Sequence, residues 1–148
     1  MPVVLATLQT WSWGPGHPYA YPALEVLHIV GIALLLGNLL LFELKVLGLG
    51  AGLHLSSLAR LALRVSVCGF LLAACSGLVM FASQPAELLL NRAFQLKMLL
   101  LLIAGLNALL FHWRRGLARL DLFAKLQTAM SLGLWLAVII CGRWIAYV

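Results

Sequence analysis

Three side chains of types that bind redox-active metals fall near one end of their predicted helices. His28, Met80 and Met98 lie about 5–12 Å from that end, at about 1.5 Å per helical residue. Imidazole and thioether groups suit Cu(I), and a His/Met pair also suits haem iron. Cys75 and Cys141 fall at the same depth, although Met and Cys in apolar helices are ordinarily packing residues. The sequence therefore favours two interpretations, a copper or haem b site centred on His28 and simple packing.

The depths of the histidines decide which haem ligation is compatible with one chain. His28 lies about 8 Å and His112 about 27 Å from the same side, so the two imidazoles cannot ligate one iron through bonds of about 2 Å. The other two histidines, His17 and His54, fall in predicted loops. Two imidazole ligands on one haem are therefore disfavoured within a single chain, whereas His/Met ligation is compatible with the sequence.

Three charged residues accompany His28 at this end and predict a polar pocket. Glu25 precedes His28 by one helical turn on the same face, and Lys97 and Arg143 each lie about one turn inside a helix end. Such a pocket could pass a proton or hold an anionic or quinone-like headgroup. The alternative is that Lys97 and Arg143 extend to the lipid headgroups and have no further role.

A second polar layer is predicted at the opposite end of the helices. Glu43 is expected to form ion pairs with Arg60 or Arg64 across the first helix hairpin, which would fix the bundle. His112 lies beside Trp113 at the predicted interface, where a solvated imidazole needs no special role.

Composition decides which elements must hold these residues in place. The chain has 148 residues, of which 64% are apolar and 9% charged, whereas soluble domains average about 25% charged residues. A soluble fold is excluded. The net charge of +6 does not indicate nucleic-acid binding, because the basic residues lie mostly at the ends of apolar runs. All three cysteines lie in predicted helices, so no disulfide framework is indicated.

The apolar runs predict an all-α integral membrane protein with four transmembrane helices in an antiparallel up-down bundle. Asn91 and Asp121 are the expected N-caps of the third and fourth helices. Gly69, Ala73 and Gly77 recur every fourth residue in the second helix and predict close helix packing. The predicted spans are 22–47, 58–82, 92–113 and 122–147, and residues 1–21 form a short interfacial segment rich in Trp, Tyr, Gly and Pro.

The distribution of Lys and Arg predicts the orientation in the membrane. Seven of the ten basic residues flank the first and third connections, and three lie on the opposite side. The larger set is Lys45, Arg60, Arg64, Arg114, Arg115, Arg119 and Lys125, and the smaller is Arg92, Lys97 and Arg143. Because basic residues concentrate on the cytoplasmic side, both termini are expected on the other side, which is the periplasm in a bacterium.

Four short segments carry a resemblance to a known family. They are Leu27-His28, Gly77-Leu-Val-Met-Phe81, Phe94-Gln-Leu-Lys97 and Gly142-Arg143-Trp-Ile-Ala-Tyr147. Over about residues 22–148 the chain resembles a family of uncharacterised bacterial four-helix membrane proteins allied to the membrane domain of copper-resistance protein D. The resemblance implies an inner-membrane location and copper handling at the periplasmic side, with His28, Lys97 and Arg143 at the motif positions.

Two functions are therefore expected from the sequence. The first is a small multi-pass inner-membrane protein that binds or handles copper or haem in a polar layer near the periplasmic face. The second is a non-catalytic accessory or assembly subunit of a larger membrane complex. An enzyme is disfavoured because the sequence has no Gly-rich phosphate loop, nucleophile elbow or HExxH motif. The expected partner is the lipid bilayer, and association with a second copy or a larger complex is left open.

Overall fold

The computed structural model describes residues 19–48, 55–114 and 121–147. The described residues form five helices and no strand. The helices are α1 (Ala20–Val46), α2 (Leu55–Ser83), α3 (Pro85–Leu90), α4 (Arg92–Trp113) and α5 (Leu122–Trp144). Nearly all of the predicted interfacial segment, and two basic residues used for the orientation, Arg115 and Arg119, lie outside the described residues.

The four long helices are confirmed, and each is long and apolar enough to cross a membrane. Their bounds agree with the predicted spans to within about three residues at each end. The predicted spans leave residues 83–91 outside any helix, whereas residues 85–90 form the short helix α3. Pro85 instead occupies the first turn of α3, where its missing N–H costs no hydrogen bond.

Side-chain caps define where two of the long helices begin, as the sequence predicts. The Asn91 side chain accepts a hydrogen bond from the backbone N–H of Phe94 at 3.0 Å, and Asp121 accepts one from Ala124 at 2.9 Å. Each cap satisfies a backbone donor that has no partner within its own helix. The chain leaves α1 through Gly48, whose φ of 98° suits a residue without a Cβ.

The helices α1 and α2 approach each other most closely at glycines. A Cβ added at Gly31 would lie 2.6 Å from the backbone N of Ala73, and one added at Gly69 would lie 2.5 Å from that of Leu35. The predicted close packing is thus confirmed at Gly69 and Ala73. Further along, the Ser66 hydroxyl donates to the Leu35 carbonyl across the same seam. The contacts run in reverse order along the two helices.

An apolar core joins the four long helices near the end of α1. It contains Phe42 and Val46 of α1, Ala62 of α2, Phe111 of α4 and Ala124 of α5. The rings of Phe42 and Phe111 meet edge to face with centroids 6.1 Å apart. At the opposite end, the rings of Phe81 and Phe94 stack at 5.6 Å. These two aromatic contacts link the α1–α2 pair to the α4–α5 pair.

Candidate functional site

His28 projects from α1 onto α2, where two groups hold its ring. Its Nδ1 lies 2.8 Å from the Ala73 carbonyl oxygen and 3.1 Å from the Ser76 hydroxyl. Because a carbonyl oxygen only accepts hydrogen bonds, Nδ1 must carry the hydrogen. In the neutral imidazole, Nε2 then has a free lone pair. The ring is half-buried, so this nitrogen can serve as a ligand or a proton acceptor.

Gly77 makes room for the imidazole. A Cβ at this position would lie 3.1 Å from Cε1 and 3.4 Å from Nδ1 of His28. The small residues of α2 therefore have two roles. Gly69 and Ala73 allow α1 and α2 to pack closely. Gly77, which has no side chain, leaves space for the His28 ring between the two helices.

Lys97 is the charged residue that the structure brings to His28. It is half-buried on α4, and its ammonium is close enough to His28 for a Coulombic interaction. Its Nζ packs over Gly142 of α5, at 3.4 Å from where a Cβ would lie, with Cys141 also within electrostatic range. His28 on the α1–α2 pair and Lys97 on the α4–α5 pair thus face each other. The predicted pocket required this pairing.

The other two residues predicted for the pocket, Glu25 and Arg143, have neighbours other than His28 and Lys97. Glu25 is exposed and interacts electrostatically with Tyr21. Arg143 is also exposed, and its guanidinium donates a hydrogen bond to the Tyr147 hydroxyl and covers the Tyr147 ring. The structure therefore brings together two of the four residues predicted for the pocket, and assigns other neighbours to the remaining two.

The two predicted methionine ligands differ in their surroundings. Met80 is half-buried and lies one turn along α2 from Ser76 and Gly77, on the face that holds His28. Met98 has 40% of its surface exposed. Met80 is thus the better placed of the two. Within the described ranges, no group of three or more His, Cys, Asp or Glu side chains is arranged to hold a metal ion.

At the other end of the helices, Glu43 is buried with 2% of its surface exposed. Its carboxyl group accepts a hydrogen bond from the Ser131 hydroxyl of α5. Arg60 and Arg64 are both exposed on α2. The ion pairs of Glu43 with Arg60 or Arg64 stay a prediction.

Sequence reasoning did not identify the groups that hold His28 and Glu43. The Ala73 carbonyl carries no sequence signal, since every residue has one. Ser76 could have been noticed as the polar residue beside Gly77 in the stripe of small residues. Ser131 could have been noticed as one of three polar residues spaced along one face of α5, the others being Gln127 and Thr128.

Comparison with known proteins adds no family or fold assignment, since the chain matches no protein-family model, no curated protein and no solved structure. The resemblance to the membrane domain of copper-resistance protein D therefore stays a prediction.

Proposed function

We propose that the chain is a multi-pass protein of a bacterial inner membrane whose four long helices form an antiparallel up-down bundle with both termini in the periplasm. Large apolar side chains cover the outside of the bundle. Leu78, Leu61 and Ile29 each have more than 60% of their surface exposed, which is favourable in lipid and costly in water. The excess of Lys and Arg beside the first and third connections supports the orientation.

Within this bundle, His28 is a ligand of a redox-active metal, either copper or haem iron. The hydrogen bond from Nδ1 to the Ala73 carbonyl carries the proposal. Metal-binding histidines usually donate their second ring N–H to a carbonyl or carboxylate, which orients the ring and makes the other nitrogen more basic. Here the acceptor lies on a neighbouring helix that close packing holds in place, so the ring is oriented before any metal binds.

The residues around His28 fit a metal with an anionic partner group better than an isolated cation. Lys97 places a positive charge near the imidazole, which opposes a bare metal ion and stabilises an anionic group beside it. A haem carries such groups in its propionates, and a copper site would need an anionic co-ligand. Met80 is the protein side chain best placed for a second, soft ligand. Either metal would supply one-electron transfer.

The metal content of the purified full-length protein in detergent tests this proposal. We expect stoichiometric haem, seen as a Soret band, or stoichiometric copper by elemental analysis. His28→Ala should lose most of it. His112→Ala is the matched control, because the His112 Nδ1 also contacts a carbonyl, that of Ala108 on its own helix, but the ring is exposed.

Two results would contradict the metal site. One is folded protein, purified without chelators, that contains neither haem nor copper. The other is an equal loss of metal in both variants. The first result would favour the accessory subunit, in which His28 only joins α1 to α2.

A further inference from the structure

A second polar site lies at the opposite end of the bundle, about 22 Å along α1 from His28. Its members are Glu43 of α1, Asn107 of α4, and Gln127, Thr128 and Ser131 of α5. The first four are each more than nine-tenths buried. They lie beside the apolar core, because Phe42 precedes Glu43 and Phe111 follows Asn107 by one helical turn.

One turn of α5 brings these side chains together. Ser131 donates to the Glu43 carboxyl group, and the Asn107 side-chain nitrogen donates to the Gln127 backbone carbonyl at 3.1 Å. Gln127 and Ser131 are four residues apart, so their side chains share one face of the helix. The oxygen of the Asn107 amide is only about 2.3 Å from its nitrogen, which places it beside the same turn.

Two polar atoms in this cluster lack the partners that burial demands. Within the described part of the chain, neither Oδ1 of Asn107 nor Nε2 of Gln127 has a hydrogen-bond partner. An unsatisfied buried polar atom lowers the stability of the folded protein, so native proteins seldom keep one without a ligand, an ion or a water. Glu43 also brings a carboxyl group into this buried cluster, where a cation bound beside it would favour the ionised form.

We propose that Glu43, Asn107, Gln127, Thr128 and Ser131 form a site for a monovalent alkali cation, enclosed between α1, α4 and α5. All five side chains contain oxygen, the donor that hard cations prefer. A half-turn of the Gln127 amide exchanges its nitrogen for oxygen, and Nε2 has no hydrogen bond to lose. One carboxylate neutralises a single positive charge, whereas a divalent ion would leave an uncompensated charge in the membrane interior.

The oxygen atoms of Ser131 and Thr128 remain available to a cation. Ser131 uses its hydrogen toward Glu43, and Thr128 uses its hydrogen toward the Ala124 carbonyl at 2.9 Å. Each hydroxyl therefore presents lone pairs to the cluster. These hydrogen bonds fix the direction of the oxygens before an ion arrives, which reduces the cost of ordering them on binding.

Equilibrium binding of ²²Na⁺, and of ⁸⁶Rb⁺ as a probe for K⁺, to the purified full-length protein in detergent tests the site. We expect about one ion per chain. Glu43→Gln should raise the dissociation constant at least tenfold, because it keeps the shape of the side chain and removes its charge. Glu25→Gln is the matched control, as it removes an exposed carboxylate from the same helix.

Two further variants and an infrared measurement complete the test of the cation site. His28→Ala should leave ion binding unchanged, so loss of the metal site and loss of the cation site are distinguishable. If Glu43→Gln does not fold, Ser131→Ala replaces it, and should also weaken binding. Folded protein that binds neither ion overturns the proposal. So does an infrared carboxylic-acid band that persists at neutral pH in saturating Na⁺ and Rb⁺ and disappears only in Glu43→Gln, because a Glu43 that stays protonated beside the ions has no charge to offer them.

Discussion

Gly69→Ala tests the helix seam that positions His28. A Cβ at Gly69 would lie 2.5 Å from the Leu35 backbone N, 2.7 Å from the Gly31 carbonyl oxygen and 2.9 Å from the Leu34 Cβ. Ordinary contacts begin near 3.4 Å, so α1 and α2 must separate by about 0.9 Å. Two of the three obstructing atoms belong to the backbone, so no side-chain rotation relieves the clash.

The same displacement acts on the histidine. If α1 moves as a rigid helix, the 2.8 Å separation between His28 Nδ1 and the Ala73 carbonyl oxygen grows to about 3.7 Å, beyond hydrogen-bonding range. Overpacking of this kind costs about 1–3 kcal/mol of folding free energy. We therefore expect Gly69→Ala to reduce both the stability of the protein and its metal content.

Gly37→Ala on α1 is the matched control. A Cβ there meets nothing within 4 Å, and alanine favours the helix over glycine by up to about 1 kcal/mol. Thermal unfolding in detergent, followed by circular dichroism, compares the two variants. A Gly69→Ala protein as stable as Gly37→Ala would refute the close packing of α1 on α2, and with it the explanation of how His28 is held.

Three other predictions concern the site, the core and the topology. Gly77→Ala should lower metal affinity about tenfold without unfolding the protein, because its Cβ would displace the imidazole; an unchanged affinity by metal titration would contradict the contact. Phe111→Ala should destabilise the bundle by about 3–5 kcal/mol in an unfolding titration, since the ring is buried against Phe42; a loss below 1 kcal/mol would contradict the shared core. Among single cysteines added to a chain without native ones, Tyr147→Cys should react with a membrane-impermeant maleimide from the periplasm and Asp121→Cys only after permeabilisation; the reverse pattern would invert the proposed orientation.

The extent of the helices was predictable because it depends on local properties. Apolar runs of about 20 residues, the caps at Asn91 and Asp121, and the spacing of small residues in α2 all act within one segment of chain. The α3 helix was missed for a related reason. Pro85 indicates the end of one helix and equally the start of another, and the sequence alone does not decide between them.

The directions of the charged side chains were less predictable, because rotation about each helix axis is fixed by contacts between helices. Gly142 packs under Lys97, so the next residue, Arg143, is turned about 100° away and is exposed. Glu25 is three residues before His28, which places it about 60° from His28 around the helix, enough to leave the pocket. The sequence predicts the position of these residues along their helices, and that position alone does not bring side chains together.

The Glu43 cluster illustrates the same limit. Sequence reasoning gave Glu43 cationic partners on the neighbouring helix, because opposite charges at one depth suggest an ion pair. The structure places the Ser131 hydroxyl of α5 against the carboxyl group, and the ion pairs stay a prediction. A partner 88 positions later in the chain has no local signal, and only the docking of the two helix pairs makes it a neighbour.

Pulsed electron paramagnetic resonance of the metal-loaded protein grown with ¹⁵N-labelled histidine tests the central claim most directly, since Cu(II) and low-spin ferric haem are both paramagnetic. The proposed site predicts a ¹⁵N hyperfine coupling from a bound imidazole in the unmodified protein and in His112→Ala, and its absence in His28→Ala. Bound metal without a histidine coupling, or the same coupling in His28→Ala, would contradict the assignment of His28 as the ligand.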